Sequence, residues 1–301
     1  MNIITINPQT DGPKRCVISL GIGKPVFRDS LLRLGESLKK VGFTGDYIYW
    51  DRDLPDGCPQ HFEAPFAFKS YCFQIAQRMG YQQVLWMDSA CVAIRSLDRV
   101  FENLSNRGYA LFDNNYDQMM GQWISDEALA KNGIDRETAL LIPEIPCSVI
   151  GLDLHSPLAL AFLDQWHTIM TDGLTARGTA KPIRDWNDYQ AIFWNRNGFI
   201  SSDPRVKGHR CDQPAAGIVA HRLGLQPYAD ELRDIHYPAR PVASNTCILH
   251  HREFGEQITP LNQIYRRVFF EDPYLKPLLA QGRSLRSGLK RLIRQAGSPL
   301  V

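Results

Sequence analysis

The stretch that most constrains the fold of this chain is residues 84–94, VLWMDSACVAI. Four apolar residues run without a break into one carboxylate, Asp88, and small residues follow it. This pattern is typical of a strand that is buried on both faces and ends at Asp88. The carboxyl edge of an open α/β sheet is where ligands bind, and a carboxylate there can hold a divalent cation or accept hydrogen bonds from a sugar hydroxyl. The alternative is that Asp88 only caps a turn or a helix.

Composition restricts the class of protein. A chain of 301 residues, 44% hydrophobic and 22% charged, suits one large α/β domain, with or without a small appendage. The net charge of +2 gives no general reason to expect nucleic acid as a partner. Seven scattered cysteines without a CxxC pair favour reduced thiols in the cytoplasm over disulfides or a zinc site. Neither a signal peptide nor an apolar run long enough for a membrane span is present, so we expect a cytoplasmic protein.

Strand and helix patterns alternate along the chain, which predicts an α/β fold. The glycines Gly21 and Gly23 follow the first apolar run, but Val26 stands where a dinucleotide-binding turn needs its third glycine. A dinucleotide site is therefore not supported. Strands are predicted over residues 16–20, 47–50, 84–87, 109–112, 147–152 and 246–249, and helices over residues 29–41, 68–79, 97–104, 126–131, 157–169 and 212–223.

Charged residues stand at several ends of these elements. Asp51 and Asp113 each follow a predicted strand, as Asp88 does. Lys69 lies in the first turn of a helix, where a cation opposes the helix dipole and apolar neighbours surround it. That position suggests an anionic ligand, although a surface lysine whose stem lies along apolar residues would fit the same pattern.

The second half of the chain carries further candidates, each with a structural alternative. Asp185 and Asp188 are three residues apart, which suits paired carboxylates or the solvated start of a helix. Asp212 opens a short helix, either as a functional acid or as a plain cap, directly after His209 and Arg210.

Trp123 and a pair of histidines complete the set of candidates. Trp123 lies in a polar, aromatic loop of the kind that binds sugars or forms a lid. The apolar run 246–249 ends at His250 and His251. Because adjacent residues of a strand point to opposite faces, only one of these histidines should reach a site.

Several of these segments together resemble nucleotide-sugar glycosyltransferases of the GT-A type, especially bacterial and viral ones related to the glycogenin and lipopolysaccharide galactosyltransferase group. The resemblance is carried by WMDSA after FAFKSYCFQIAQRMGY, by SVIGLDL with the helix that ends near Trp166, and by GHRCDQPAAGIVAHRLGL. It covers residues 16–251. It implies a single doubly wound, Rossmann-like α/β domain with a mixed central sheet, which binds the sugar nucleotide at the carboxyl edge of that sheet.

The resemblance also implies roles for individual residues. Asp88 matches the first acid of the family's DxD motif, but Ala90 replaces the second, so a Mn²⁺ or Mg²⁺ ion held by Asp88 and His250 is implied only incompletely. Lys69 would lie toward the phosphates or the uracil, and Asp212 toward the acceptor or the sugar. The expected catalytic residues are Asp88 and Asp212, the expected donor-binding residues are Gly21, Asp51, Lys69, Asp88, Ser89 and Arg210, and the expected acceptor- or sugar-binding residues are Asp113, Trp123, Asp185, Asp188 and His209.

The predicted function is transfer of a sugar from a nucleoside diphosphate sugar, a UDP-sugar, to a glycan or lipid-linked acceptor. A metal ion or the cations Lys69, Arg210 and Arg252 would neutralise the diphosphate that leaves. A sugar nucleotidyltransferase is less well supported, because no glycine-rich, basic loop follows the first strand. A catalytically silent glycan-binding or scaffold protein on the same fold is the alternative from another class.

The domain limits predicted from the sequence are residues 1–15 as an N-terminal extension, residues 16–273 as the glycosyltransferase-like domain and residues 274–301 as a basic tail. Within the tail, QGRSLRSGLKRLIRQ places leucine and isoleucine on one helical face and five basic residues around it, without an acid. This pattern predicts a helix that binds an anionic membrane surface peripherally. A helix that packs on its own domain with a solvated basic face is the alternative.

Overall fold

A six-stranded sheet of mixed direction forms the centre of the computed structural model, which describes residues 1–9, 11–112, 118–227, 235–236 and 246–250. The strand order is β1-β3-β2-β4-β7-β6. The strands are β1 (Asn2–Asn7), β2 (Arg15–Leu20), β3 (Gly45–Trp50), β4 (Gln83–Met87), β6 (Tyr109–Ala110) and β7 (Val149–Asp153).

The middle of this sheet is parallel, and this places three strand ends at one edge. β2 pairs in parallel with both β3 and β4, whereas β1 pairs antiparallel with β3, and β7 pairs antiparallel with both β4 and β6. The carboxyl ends of β2, β3 and β4 therefore lie side by side. Gly21, Asp51 and Asp88 are the residues that directly follow these strands.

Helices cover both faces of the sheet, as the sequence predicted for a doubly wound domain. Apolar residues of α1 and α3 pack on one face, where Val17, Tyr47 and Leu85 point. Apolar residues of α2, α6 and α8 pack on the other face, where Ile18, Ile48 and Trp86 point. The helices are α1 (Pro25–Lys40), α2 (Phe68–Arg78), α3 (Asp98–Arg107), α4 (Asp126–Asn132), α5 (Arg136–Ala139), α6 (Pro157–Met170), α7 (Trp186–Phe193) and α8 (Asp212–Arg222).

The stretch 84–94 supplies strands to two different sheets. After β4 the chain turns at Ser89 and Ala90 and enters β5 (Cys91–Ala93). β5 belongs to a small three-stranded sheet with β8 (Ile235–His236) and β9 (Ile248–His250). Asp88 thus lies at the junction between the two sheets.

Several element limits differ from those predicted. Residues 2–7, set apart as an extension in the sequence prediction, form the edge strand β1 of the main sheet. α1 starts at Pro25 rather than near Asp29, because proline is favoured in the first turn of a helix, where its missing N–H leaves no bond unmade. The seven cysteines all lie among the described residues and are reduced, as predicted.

Part of the sequence-based prediction concerns residues that the structure does not describe. Asp113, His251, Arg252 and the basic tail lie outside the described residues, so the membrane role of the tail stays a prediction. Among the described residues, no helix is both long and apolar enough to cross a membrane.

Candidate active site

A buried lysine ammonium lies between two carboxylates at the carboxyl edge of the sheet. Lys69 is only 3% exposed, and its Nζ lies 2.7 Å from Asp212 Oδ2 and 3.1 Å from Asp88 Oδ1. The same Nζ donates a hydrogen bond of 2.7 Å to the carbonyl oxygen of Cys147. We refer to Lys69, Asp88 and Asp212 as the charged triad.

Three different elements bring the charged triad together. Lys69 lies in the first turn of α2, Asp88 directly follows β4, and Asp212 is the first residue of α8. Trp86 precedes Asp88 by two residues, so both side chains lie on the same side of the strand. Its indole Nε1 donates a 2.8 Å hydrogen bond to Asp88 Oδ1, which fixes the carboxylate.

Each pKa in the triad follows from burial and from the opposing charges. Burial alone would raise the pKa of Asp88, but Lys69, His250 and the Trp86 indole together lower it. Burial raises the pKa of Asp212 despite the nearby ammonium. Burial would lower the pKa of Lys69, but Asp212 and Asp88 raise it. At neutral pH Lys69 is therefore an ammonium and Asp88 is a carboxylate.

Exposure separates the two acids of the triad. The side chain of Asp88 is 27% exposed, whereas that of Asp212 is 5% exposed. Asp88 is thus the member of the triad that a ligand contacts first. The Lys69 ammonium and the Asp212 carboxylate act from behind it through a medium that screens charge poorly.

Backbone strain accompanies the triad on both sides. Phe66, three residues before Lys69, has a φ of 64°, and Cys211, directly before Asp212, has a φ of 58° with a ψ of −96°. Residues other than glycine rarely adopt these backbone conformations. Residues that do so cluster at functional sites, where the surrounding packing enforces the conformation. Burial of Cys211 and the ring contacts of Phe66 supply that packing here.

The residues implied for a divalent cation fit such an ion poorly. His250 ends β9, is buried, and lies close enough to Asp88 to lower the pKa of that acid. Asp88 is already paired with Lys69, and Ala90 offers no ligand. Within the described part of the chain, no group of three or more His, Cys, Asp or Glu side chains is arranged to hold a metal ion. Hard divalent cations require several oxygen ligands, so the described residues do not by themselves build the site.

A second buried ion pair lies just before Asp212 in the chain. Arg210 Nη1 donates hydrogen bonds of 2.7 Å to Glu144 Oε2 and to Gln118 Oε1. Its guanidinium lies 3.4 Å from the centre of the Trp123 ring, which is a cation–π contact. These contacts anchor the chain where it enters the strained turn at Cys211.

We expect Arg210→Ala to lower the free energy of unfolding by about 3 kcal/mol, because it removes the guanidinium that lies 2.7 Å from the buried carboxylate of Glu144. The double variant Arg210→Ala/Glu144→Gln should recover part of this loss, since it removes the buried carboxylate charge as well. Urea denaturation of both variants measures the effect. Equal stability of the single and the double variant would mean that the Glu144 charge does not depend on Arg210.

The other predicted site residues fall into two groups. Gly21 and Asp51 lie at the same sheet edge as Asp88. A Cβ on Gly21 would lie 2.7 Å from the carbonyl oxygen of Phe27, so glycine is required there by close backbone approach. Asp51 Oδ1 accepts a hydrogen bond of 2.8 Å from Asn2. Ser89 lies half-buried in the turn after Asp88.

The remaining candidates make structural contacts. His209 is buried and accepts a hydrogen bond from the Ser125 amide at Nδ1, and burial lowers its pKa to about 4. Asp185 caps α7 by accepting hydrogen bonds from two backbone amides, and Asp188 pairs with Arg184. A role for these three residues in binding an acceptor or a sugar stays a prediction.

Sequence reasoning missed several residues that shape the site. The apolar pattern predicts only a core position for Trp86, although the spacing of two residues from Asp88 places both side chains on one side of the strand. The carbonyl of Cys147 carried no signal at all, because any residue provides a carbonyl. Glu144 lay between two prolines and gave no pattern that would connect it to Arg210, 66 residues further along the chain.

The fold and the site define an α/β protein with a buried ammonium–carboxylate cluster at the carboxyl edge of its sheet. No model of a known protein family and no curated protein matches the sequence. Solved structures are similar to this chain, and three glycosyltransferases are among them.

One similar solved structure is that of a glycosyltransferase involved in the glycosylation of the major capsid of PBCV-1. It has 15% identity over 63% of this chain and 79% of that chain, at a TM-score of 0.34. Mouse xyloside xylosyltransferase 1 has 11% identity over 82% of this chain and 99% of that chain, at a TM-score of 0.43. The galactosyltransferase LgtC, solved with donor and acceptor sugar analogues, has 11% identity over 72% of this chain and 99% of that chain, at a TM-score of 0.34. These similarities concern the same class of protein as the resemblance seen in the sequence.

Proposed function

We propose that this chain is a glycosyltransferase that moves a sugar from a nucleoside diphosphate sugar, a UDP-sugar, to a glycan or lipid-linked acceptor. One observation carries the proposal: a buried ammonium is held between two carboxylates where the parallel strands end. That edge is where open α/β sheets bind ligands. A buried cation there serves a reaction in which negative charge develops on a leaving group.

The charged triad supplies the elements of this reaction. When the bond between the sugar and the diphosphate breaks, the electron pair stays on the phosphate oxygen, and the added negative charge must be neutralised. The Lys69 ammonium offsets the charge of the two carboxylates beside it, so that an anionic donor meets one net negative charge at the triad rather than two. The accessible carboxylate of Asp88 can accept hydrogen bonds from hydroxyl groups of the donor sugar.

Asp212 is suited to a role at the sugar or the acceptor. Burial raises its pKa, and a carboxylate with a raised pKa is a stronger base than an ordinary one. The acceptor hydroxyl must lose a proton when it forms the new bond, and in this proposal Asp212 takes it. Lys69 lies between the two acids, so it couples the donor side of the site to the acceptor side.

The proposal is tested by release of UDP from a panel of UDP-sugars, with the full-length chain and without an acceptor. We expect slow donor hydrolysis by the wild-type chain and a loss on the order of a hundredfold in Asp88→Asn. Hydrolysis at the wild-type rate in a folded Asp88→Asn variant would contradict the assignment of Asp88. Absence of both hydrolysis and UDP binding in the wild-type chain would favour the alternative of a silent glycan-binding or scaffold protein.

We expect a chelator to leave most of the donor hydrolysis intact, because Asp88 is paired with Lys69 and the described residues do not arrange the several oxygen ligands that a divalent cation needs. The measurement is UDP release before and after EDTA treatment. Complete loss with EDTA, restored by Mn²⁺, would contradict this expectation. It would mean that residues beyond the described ones complete a metal site around Asp88 and His250.

A further inference from the structure

An exposed tryptophan takes no part in the donor chemistry proposed above, and ring contacts connect it to the segments that carry the charged triad. Trp186, the first residue of α7, is 61% exposed. Its ring centre lies 5.2 Å from that of Phe62, 5.3 Å from that of Tyr189 and 5.8 Å from that of His61. We refer to His61, Phe62, Trp186 and Tyr189 as the aromatic cluster.

One path of contacts joins the aromatic cluster to Lys69. The ring centres of His61 and Phe66 lie 5.0 Å apart in an edge-to-face contact. The Phe66 ring in turn lies 5.4 Å from the Lys69 ammonium. Phe66 is also the residue with the strained φ of 64°, so the backbone is held in a rare conformation where this path reaches the triad.

A second path joins the aromatic cluster to Asp212. The Tyr189 hydroxyl lies 3.8 Å from the Cys211 sulfur, and Cys211 directly precedes Asp212. Cys211 is the other strained residue beside the triad. The aromatic cluster therefore contacts Phe66 and Cys211, which lie three residues before Lys69 and directly before Asp212.

We propose that Trp186 is the stacking surface of an acceptor subsite that binds a hexopyranose ring. The proposal rests on the proposed glycosyl transfer, because it places the acceptor sugar next to the donor site. One face of a hexopyranose carries C–H groups, which pack favourably against the electron-rich face of an indole. Hydroxyl groups at the rim of the sugar need polar partners; Asn187 follows Trp186 in the chain, and Asp185, which precedes it, caps α7 through Oδ1.

A sugar fits this surface better than a lipid chain does. Arg184, Asp185 and Asn187, the chain neighbours of Trp186, are exposed as well, so the start of α7 presents polar groups together with the indole. Small-ligand sites combine an aromatic surface with a few polar groups in this way. An acyl chain would require a continuous apolar groove.

The test is saturation-transfer NMR on the full-length chain with methyl glycosides of glucose, galactose and mannose in both anomeric forms, and separately with UDP. We expect the wild-type chain to transfer saturation to the C–H protons of at least one methyl glycoside. Trp186→Ala should lower that signal by about fivefold, the effect of losing one aromatic contact, and Trp186→Phe should retain part of it. The UDP signal should be the same in all variants.

Trp194→Ala is the matched control, because Trp194 is 51% exposed at the end of the same helix but contacts Phe193 and Trp123 rather than the aromatic cluster. It should bind the glycoside as the wild type does. Absence of any glycoside signal in the wild-type chain, or an equal signal in Trp186→Ala, would overturn the proposed subsite. Absence of a UDP signal would instead count against the donor site, so the two failures are distinguishable.

Discussion

Replacement of Lys69 by methionine should lower the free energy of unfolding by about 3 kcal/mol or more at neutral pH. Methionine has nearly the volume of the lysine stem but no charge. The substitution leaves the carboxylates of Asp88 and Asp212 facing each other without the ammonium that lies 3.1 Å and 2.7 Å from them. Removing one partner of a buried ion pair is costly because the charge that remains is neither hydrated nor paired.

The pH dependence of this loss has a definite sign. In the wild-type chain the pKa of Asp88 is lowered, so this acid stabilises the fold above its ordinary pKa of about 4, and the contribution is lost as the pH falls through the lowered value. In Lys69→Met, burial would raise the pKa of both acids. The folded variant then binds more protons than the unfolded chain, and its stability increases as the pH falls.

Urea denaturation between about pH 8 and pH 5 measures this difference. The gap in stability between Lys69→Met and the wild type should narrow toward low pH. Lys69→Met/Asp212→Asn should be more stable than the single variant, because it holds one stranded charge fewer. Lys39→Met, which removes an exposed lysine paired with Glu36, is the control and should leave stability unchanged. A Lys69→Met variant as stable as the wild type at neutral pH would show that the ammonium is not buried between the two acids.

The central part of the fold was predictable because local patterns determine it. The apolar run before Asp88 was long and uninterrupted, and burial on both faces of β4 follows directly from it. Ser156 followed by Pro157 set the start of α6, where the serine hydroxyl does cap the helix. The direction of β7 and the edge position of β1 were not predictable, since pairing between distant segments leaves no local trace in a short strand.

The candidate site was predictable only in its acids and its cation. Asp88, Lys69 and Asp212 were each singled out from their positions at the ends of elements, with a structural alternative beside each. Their meeting around one ammonium depends on the packing of α2 and α8 against the same face of the sheet, which no spacing along the chain reveals. The strained backbone at Phe66 and Cys211 was equally hidden, because neither residue type favours a positive φ.

Asp212→Asn should lower the rate of sugar transfer by a factor on the order of a hundred or more while the protein stays folded. An amide is close to a carboxylate in size and can still accept a hydrogen bond from Lys69, but it takes no proton and carries no charge. Under the proposed function, the variant therefore loses the base at the acceptor side. It also loses half of the negative charge that holds the Lys69 ammonium in place.

A purely structural role for Asp212 makes a different prediction. If the carboxylate only capped α8, asparagine would replace it with little loss, because the two residues cap helices about equally well. In the structure Asp212 is the first helical residue rather than the cap, and Cys211 holds the cap position without a side-chain hydrogen bond. Asp135→Asn is the matched control, because Asp135 caps α5 through a hydrogen bond from the Thr138 amide and is exposed. Steady-state transfer rates, with urea denaturation to confirm folding, separate the two roles: an unchanged rate in Asp135→Asn with a large loss in Asp212→Asn assigns Asp212 to the reaction, whereas wild-type turnover in both variants restricts it to the architecture of the helix.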